Sequence, residues 1–145
     1  MNPDIVGSVT DIEKIVDKKY DCILCCQVLE HLPFEMLDNV LSQFQKITNK
    51  NVIISLPNND FRLITAKVFL PFIRNFSFKI LFPKFWHRHF RLEKEGFGEH
   101  YYEVGAFKEC KDKNIRKIMN QYFQIVNKFN PIENVYHIFY ILKSK

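Results

Sequence analysis

The sequence predicts an α/β fold: a parallel pair of strands joined by a crossover helix, closed by an antiparallel hairpin at the C-terminal end. Three observations predict it. Residues 20–26, Tyr-Asp-Cys-Ile-Leu-Cys-Cys, make a short, almost continuous apolar run, as expected of a strand covered on both faces. A helix-periodic segment and then a β-branched run follow with the short links of a βαβ crossover. Near the C-terminus, alternating runs flank one short turn, the pattern of a hairpin.

Taken in order, residues 4–9 read as a short strand, Thr10-Asp11-Ile12 as a polar turn, and 12–18 as a brief helical turn. The strand at 20–26 gives way abruptly to Gln27 and Glu30-His31, closed by Pro33. An apolar strand followed at once by polar residues is how an open α/β sheet presents a ligand site at the carboxyl ends of its strands. Residues 34–48 form a helix, with Met36, Leu37, Val40, Leu41, Phe44 and Ile47 recurring on one side. Pro33 and Asn49 mark its ends. Residues 51–56 are a strand rich in β-branched side chains, ended by Pro57.

Residues 58–100 depart from this rhythm. Phe61, Phe69, Phe76, Phe82, Trp86, Phe90 and further phenylalanines alternate with basic residues, and Pro71 and Pro83 punctuate them. Residues 61–70 are expected to be helical, so the insertion is read as mostly helical. Gly96-Phe97-Gly98-Glu99-His100-Tyr101-Tyr102-Glu103-Val104-Gly105 brings the chain back. A helix from 107 to 119 or 122, a strand at 122–129, a turn at 130–134 and a strand at 135–142 complete the chain.

The 145 residues suffice for one domain with a real core. Net charge is +5, yet between Phe61 and Leu92 there are seven Lys or Arg and no acid, so the remainder is about −2. No long uncharged apolar run suggests a transmembrane helix. Met1-Asn2-Pro3-Asp4 has neither a basic start nor an apolar centre, so no signal peptide is expected and a cytoplasmic location is. Cys22, Cys25 and Cys26 share one predicted strand, which argues for reduced thiols rather than a disulfide framework or a Cys-x-x-Cys redox or metal pair.

Asp21, the Cys25-Cys26-Gln27 strand end and the Val28-Leu29-Glu30-His31-Leu32 run resemble the fourth strand and following loop of class I S-adenosylmethionine-dependent methyltransferases, nearest to the small-molecule group called type 11. Asn51-Val52-Ile53-Ile54-Ser55-Leu56-Pro57-Asn58 resembles that family's fifth strand, and the His-aromatic-aromatic-Glu-hydrophobe-Gly run at 100–105 is similar to one in the same branch. The resemblance implies a partial Rossmann-like methyltransferase sheet. It covers nearly the whole chain, but only about the last two thirds of a complete family domain. The family's glycine-rich cofactor loop has no counterpart, since Gly96-x-Gly98 follows no strand. The chain is therefore read as a single truncated domain, 1–145, with residues 59–100 as an inserted substrate cover.

The resemblance implies S-adenosylmethionine as cofactor. Asp11 matches the acidic residue that contacts the adenine amino group, with the Ile12 backbone beside it; read from the residues alone, Asp11 is rather the cap of a helical turn. Gln27 matches a cofactor-lining position. His31 and His100 are the candidate bases, because histidine is the side chain matched to that task at neutral pH. Tyr101, Tyr102 and Trp86 are candidate acceptor-binding residues. Some relatives that methylate quinone precursors carry an acid where Gln27 stands, giving an acid-x-x-Glu-His cluster able to hold a divalent metal. The amide here weakens a metal reading for Glu30 and His31; His87-x-His89 with His100 could also suggest zinc, but no cysteine accompanies them at metal spacing, so no metal is expected.

The expected function is methyl transfer to a small-molecule acceptor, such as a sugar, lipid or quinone-like precursor. A different class competes: a non-catalytic remnant or interaction module that binds a membrane surface or a partner chain. The basic, aromatic segment 61–92 suits a substrate cover first, a peripheral membrane contact second, and a nucleic-acid face last, since no RNA-binding motif is recognisable. Loss of the family's first strand would leave the strand at 20–26 with an open edge, which favours self-association.

Overall fold

A computed structural model describes residues 3–59, 62–70, 73–81, 100–131, 133–134 and 136–145; for 62–70 and 73–81 it describes the backbone. The described elements are α1 (Ile12–Ile15), β1 (Tyr20–Cys26), α2 (Met36–Ile47), β2 (Thr48–Pro57), β3 (Arg62–Leu70), β4 (Ile73–Leu81), α3 (Asp112–Tyr122), β5 (Phe123–Phe129) and β6 (His137–Ser144).

The main sheet has the order β1-β2-β6-β5. β1 and β2 are parallel, with Ile23 opposite Val52 and Cys25 opposite Ile54. β2 and β6 are antiparallel, with Ile54 opposite Tyr140 and Leu56 opposite Ile138. β5 and β6 form the C-terminal antiparallel hairpin. The crossover and the closing hairpin are thus as the sequence predicts.

One face of the sheet carries the core. Val52, Ile54, Leu56, Ile138, Tyr140 and Leu142 are all buried on it, and alternation along each strand puts them there together. α2 packs Leu37, Val40, Leu41, Phe44 and Ile47 into the same cluster, and α3 adds Ile115 and Met119. Asp112 ties three elements together: its carboxylate accepts from Tyr140 Oη on β6 at 2.8 Å, pairs with Lys128 on β5 at 2.7 Å and with Arg116 one turn along α3 at 3.0 Å. The other face is open at its β1 end, where Leu24 is 69% exposed, and Val126 and Phe129 of β5 are also exposed. Among the described strands, β1 lies at the sheet edge.

Three sequence expectations are corrected. Residues 4–9 form no strand; the chain runs exposed through Asp4–Ser8 and ends in a 3₁₀ turn, Val9–Asp11. A strand needs a neighbour for its backbone groups, and no described strand pairs with this stretch. Residues 62–70 are a strand, not a helix, and pair antiparallel with β4 in a separate two-stranded sheet. The register sets Val68 opposite Phe76, Ala66 opposite Phe78 and Ile64 opposite Ile80. The β-branched and aromatic content of both runs favours that pairing over a weak helical preference. The third helix begins at Asp112, not Phe107. Residues 105–110 instead make a tight turn, in which Gly105 N–H donates to the Cys110 carbonyl at 3.0 Å and Cys110 Sγ donates to the Glu103 carbonyl at 3.1 Å. Gly105 has φ +89°, a conformation that only glycine adopts without strain.

Candidate functional site

The site lies where β1 ends. Gln27, the first residue after the strand, has φ 56°, in the left-handed region that non-glycine residues rarely adopt. That backbone turns the chain sharply into a 3₁₀ turn, Leu29–His31. Leu29 anchors the turn in the core at 1% exposure, and Glu30 beside it is equally buried. Strained backbone of this kind concentrates at functional sites.

The returning segment 100–104 is laid against this turn by backbone hydrogen bonds. Tyr101 N–H donates to the Glu30 carbonyl at 2.7 Å. Val104 N–H donates to the Pro57 carbonyl at 2.8 Å, and Asn59 N–H to the Val104 carbonyl at 3.0 Å. The chain leaves the end of β2 and comes back to the ends of both strands. His31 and His100 consequently meet edge to face, with ring centroids 4.9 Å apart. One donor atom each from Glu30, His31 and His100 lies within 4.8 Å of the others.

Glu103 stands behind His100. Its Oε1 lies 3.6 Å from His100 Nδ1 and accepts a hydrogen bond from Tyr136 Oη, and its Oε2 accepts from Asn59 Nδ2 at 3.1 Å. Burial, together with the facing Glu103 carboxylate, pushes the Tyr136 phenol well above its ordinary value, so Tyr136 stays a donor. Glu30 differs: its buried Oε2 has no hydrogen-bond partner among the described residues.

A cleft of about 290 Å³ adjoins the turn, lined by Phe34, Tyr101, Tyr102 and Phe107 together with Glu35 and Glu109. Tyr101 is half exposed and accessible from it. Tyr102 is only 2% exposed and meets Phe34 edge to face at 5.1 Å, so its larger role is packing. Burial raises the Tyr102 phenol and keeps it neutral. Burial also pushes the Cys25 thiol up to about 12, which makes it an inert core residue. All four cysteines are free.

Asp11 and Ile12 occupy the turn before α1. Ile12 packs on the core, while the Asp11 carboxylate is half exposed and accepts from Lys14 Nζ at 2.6 Å. That hydrogen bond and charge hold the Asp11 carboxyl below its usual value. Asp11 makes no capping hydrogen bond to α1, so its local reading as a helix cap is not what the structure shows. The turn is pinned from α2: buried Gln43 donates to the Thr10 carbonyl at 2.6 Å and accepts from Glu13 N–H at 3.1 Å. Trp86, His87 and His89 lie outside the described residues.

The structure therefore joins His31, His100, Tyr101 and Tyr102 around the end of β1, with Gln27 at the strand end itself. Sequence reasoning weighed Glu30 only as part of an incomplete Glu-His metal cluster and did not single out Glu103, although Glu103 stands three residues from His100. Gln43 carried a fainter signal, a polar residue on the apolar side of α2.

A parallel crossover closed by an antiparallel C-terminal hairpin, with its polar residues at the strand ends, is the class I S-adenosylmethionine-dependent methyltransferase fold in partial form. Solved structures bear this out. Magnesium protoporphyrin IX methyltransferase from Synechocystis PCC 6803, with bound S-adenosylhomocysteine, matches 96% of this chain at TM-score 0.56 and 16% identity. The glycopeptide N-methyltransferase MtfA, also with S-adenosylhomocysteine, matches 96% at TM-score 0.54 and 10% identity. A protein from Pyrococcus horikoshii OT3 matches 97% at TM-score 0.54 and 11% identity. The chain spans 49%, 60% and 58% of these proteins' own lengths. No family sequence model and no curated protein sequence matches it. No helix among the described residues is long and apolar enough to cross a membrane.

Proposed function

We propose that this chain is the C-terminal part of an enzyme that transfers a methyl group from S-adenosylmethionine to a small-molecule acceptor. The observation that carries the reading is the strained Gln27 turn at the carboxyl end of β1, with His31 and His100 meeting beside it. The half-length match to solved methyltransferases supports it, as does the uncovered sheet face at Leu24, which suits contact with the rest of such a domain.

The residues fit the cofactor in chemical type. Asp11 offers a half-exposed carboxylate, paired with Lys14, whose acceptor oxygens suit an adenine amino group, and Gln27 offers an amide at the strand end. S-adenosylmethionine, when bound, supplies a methyl group on a sulfonium centre. This chain's part is positioning and exclusion of water. His31 or His100 takes the proton from an acceptor hydroxyl or amine, and the Glu103 carboxylate, 3.6 Å from His100 Nδ1, favours the protonated ring that results. Tyr101, Tyr102 and Trp86 bind the acceptor. The basic, aromatic cover favours an anionic or apolar one: a sugar, lipid or quinone-like molecule. The same segment, 61–92, also suits peripheral contact with a membrane surface, and a cytoplasmic location fits this reading.

A second reading has one observation in its favour, the edge position of β1. On that reading the chain is a non-catalytic module that pairs with a partner chain or with itself. Titration calorimetry of S-adenosylmethionine and S-adenosylhomocysteine into the chain separates the two. Binding that weakens at least about tenfold in Asp11→Ala and Gln27→Ala supports the enzyme. A folded sample that gives no heat leaves the second reading.

A further inference from the structure

From the sequence no metal was expected, because Gln27 is an amide in the Glu30-His31 cluster and no cysteine accompanies His87, His89 and His100. The fold changes the donor set, since it brings His100 to Glu30 and His31 from across the inserted segment. We infer that Glu30, His31 and His100 form a binding site for a divalent transition metal of zinc type. This is not the acid-x-x-Glu-His arrangement: Gln27 takes no part, and the third donor comes from the returning strand.

Three observations converge. The first is the donor set itself, a carboxylate and two imidazoles with one donor atom each within 4.8 Å. Ligands at ~2.1 Å from a tetrahedral zinc lie ~3.4 Å apart, so small side-chain rotations close the site. Two histidines and one carboxylate are a recurrent three-ligand set, for zinc with a fourth position left for water or a substrate oxygen, and for iron with more.

The second is Glu30. Its side chain is 1% exposed and Oε2 has no hydrogen-bond partner among the described residues. Buried carboxylate oxygens are ordinarily paired, and a cation beside it satisfies the orphan. The third is Glu103. Metal-bound histidines usually give their second ring N–H to a carboxylate, which fixes the ring and its tautomer. Glu103 Oε1 lies 3.6 Å from His100 Nδ1, and Tyr136 and Asn59 hold Glu103 in turn. That leaves His100 Nε2 to serve the metal. Thiolates play no part: Cys25 is kept protonated by burial, and the donors are nitrogen and oxygen.

With the metal bound neither His31 nor His100 is free to act as the base proposed above, so the two roles belong to different states of the chain. The site stands whether or not the chain binds S-adenosylmethionine, and its test is separate. The metal-free chain is titrated with Co²⁺ followed by visible absorption, and with Zn²⁺ followed by calorimetry. Circular dichroism confirms that each variant is folded. One equivalent of metal is expected to bind, with low-symmetry Co²⁺ bands that Zn²⁺ abolishes. Glu30→Gln and His100→Gln are expected to weaken binding by more than a hundredfold, and Glu103→Gln by ten- to a hundredfold. His87→Gln together with His89→Gln should leave it unchanged. Absence of binding by the folded chain, or binding lost in the His87→Gln/His89→Gln variant and retained in Glu30→Gln, overturns the site.

Discussion

The His31 and His100 rings meet at 72° with centroids 4.9 Å apart, although one follows β1 and the other ends the inserted segment. The backbone hydrogen bond from Tyr101 to the Glu30 carbonyl, at 2.7 Å, holds them in register. Tyr101→Pro deletes that donor and keeps both histidine side chains, while confining the His100 backbone to the extended region. It is expected to move the His31 ring-proton resonances in the same direction as His100→Ala, because both remove the neighbouring ring. Unchanged His31 resonances in a folded Tyr101→Pro protein would show that the pairing has another cause.

Gln43 holds the Asp11–Ile12 turn from a distance in sequence. Gln43→Ala leaves the Thr10 carbonyl and the Glu13 N–H without that partner, at an expected cost of about 1–3 kcal/mol in chemical denaturation. Hydrogen exchange should quicken over residues 9–16 and stay slow in β2 and β6. Uniform acceleration throughout the sheet would place Gln43 in the general core instead.

Much of the fold was legible before the structure. The crossover and the closing hairpin follow from apolar periodicity, because each element buries one face and its pattern is dictated by its own period. The β3–β4 hairpin was not. Residues 61–70 carry Ile64, Thr65, Val68 and Phe69, and only the long-range pairing with β4 decides between helix and strand there. The strand expected at 4–9 failed for the same reason in reverse, since a strand is made by its neighbour. At the site, His31 and His100 were each legible as candidate bases, but their meeting was not. It depends on the Asn59–Val104 and Tyr101–Glu30 backbone bonds, which no side-chain pattern announces.

Asp112 should make stability depend on acid pH. Burial pulls its carboxyl up, but hydrogen bonds from Lys128 and Tyr140 and the Lys128 and Arg116 charges outweigh this and hold it below its ordinary 3.8. A carboxyl lowered on folding stabilises the native state above its unfolded value. That contribution is lost as pH falls through the folded one. Asp112→Asn is therefore expected to cost about 1–2 kcal/mol at neutral pH, after discounting for partial exposure. The gap between variant and parent should narrow as pH falls below 3.8. A gap constant from pH 7 to pH 2.5, roughly, would mean that the charge of Asp112 contributes nothing.

The edge position of β1 and the exposure of Leu24 on it predict concentration-dependent association. Leu24→Lys places a charge where another strand or face would dock. Sedimentation should show the parent chain associating at high concentration and the variant remaining monomeric. Equal behaviour of the two, whether monomeric or associated, would remove Leu24 from any such contact.

The measurement closest to the central claim is an amide-resolved NMR titration of this chain with S-adenosylhomocysteine. A cofactor site at the end of β1 predicts saturable shifts concentrated at Gln27–His31 and at Asp11–Ile12, reduced in Gln27→Ala. A well-dispersed spectrum that does not change, or shifts confined to β5 and the far end of β6, would contradict the account.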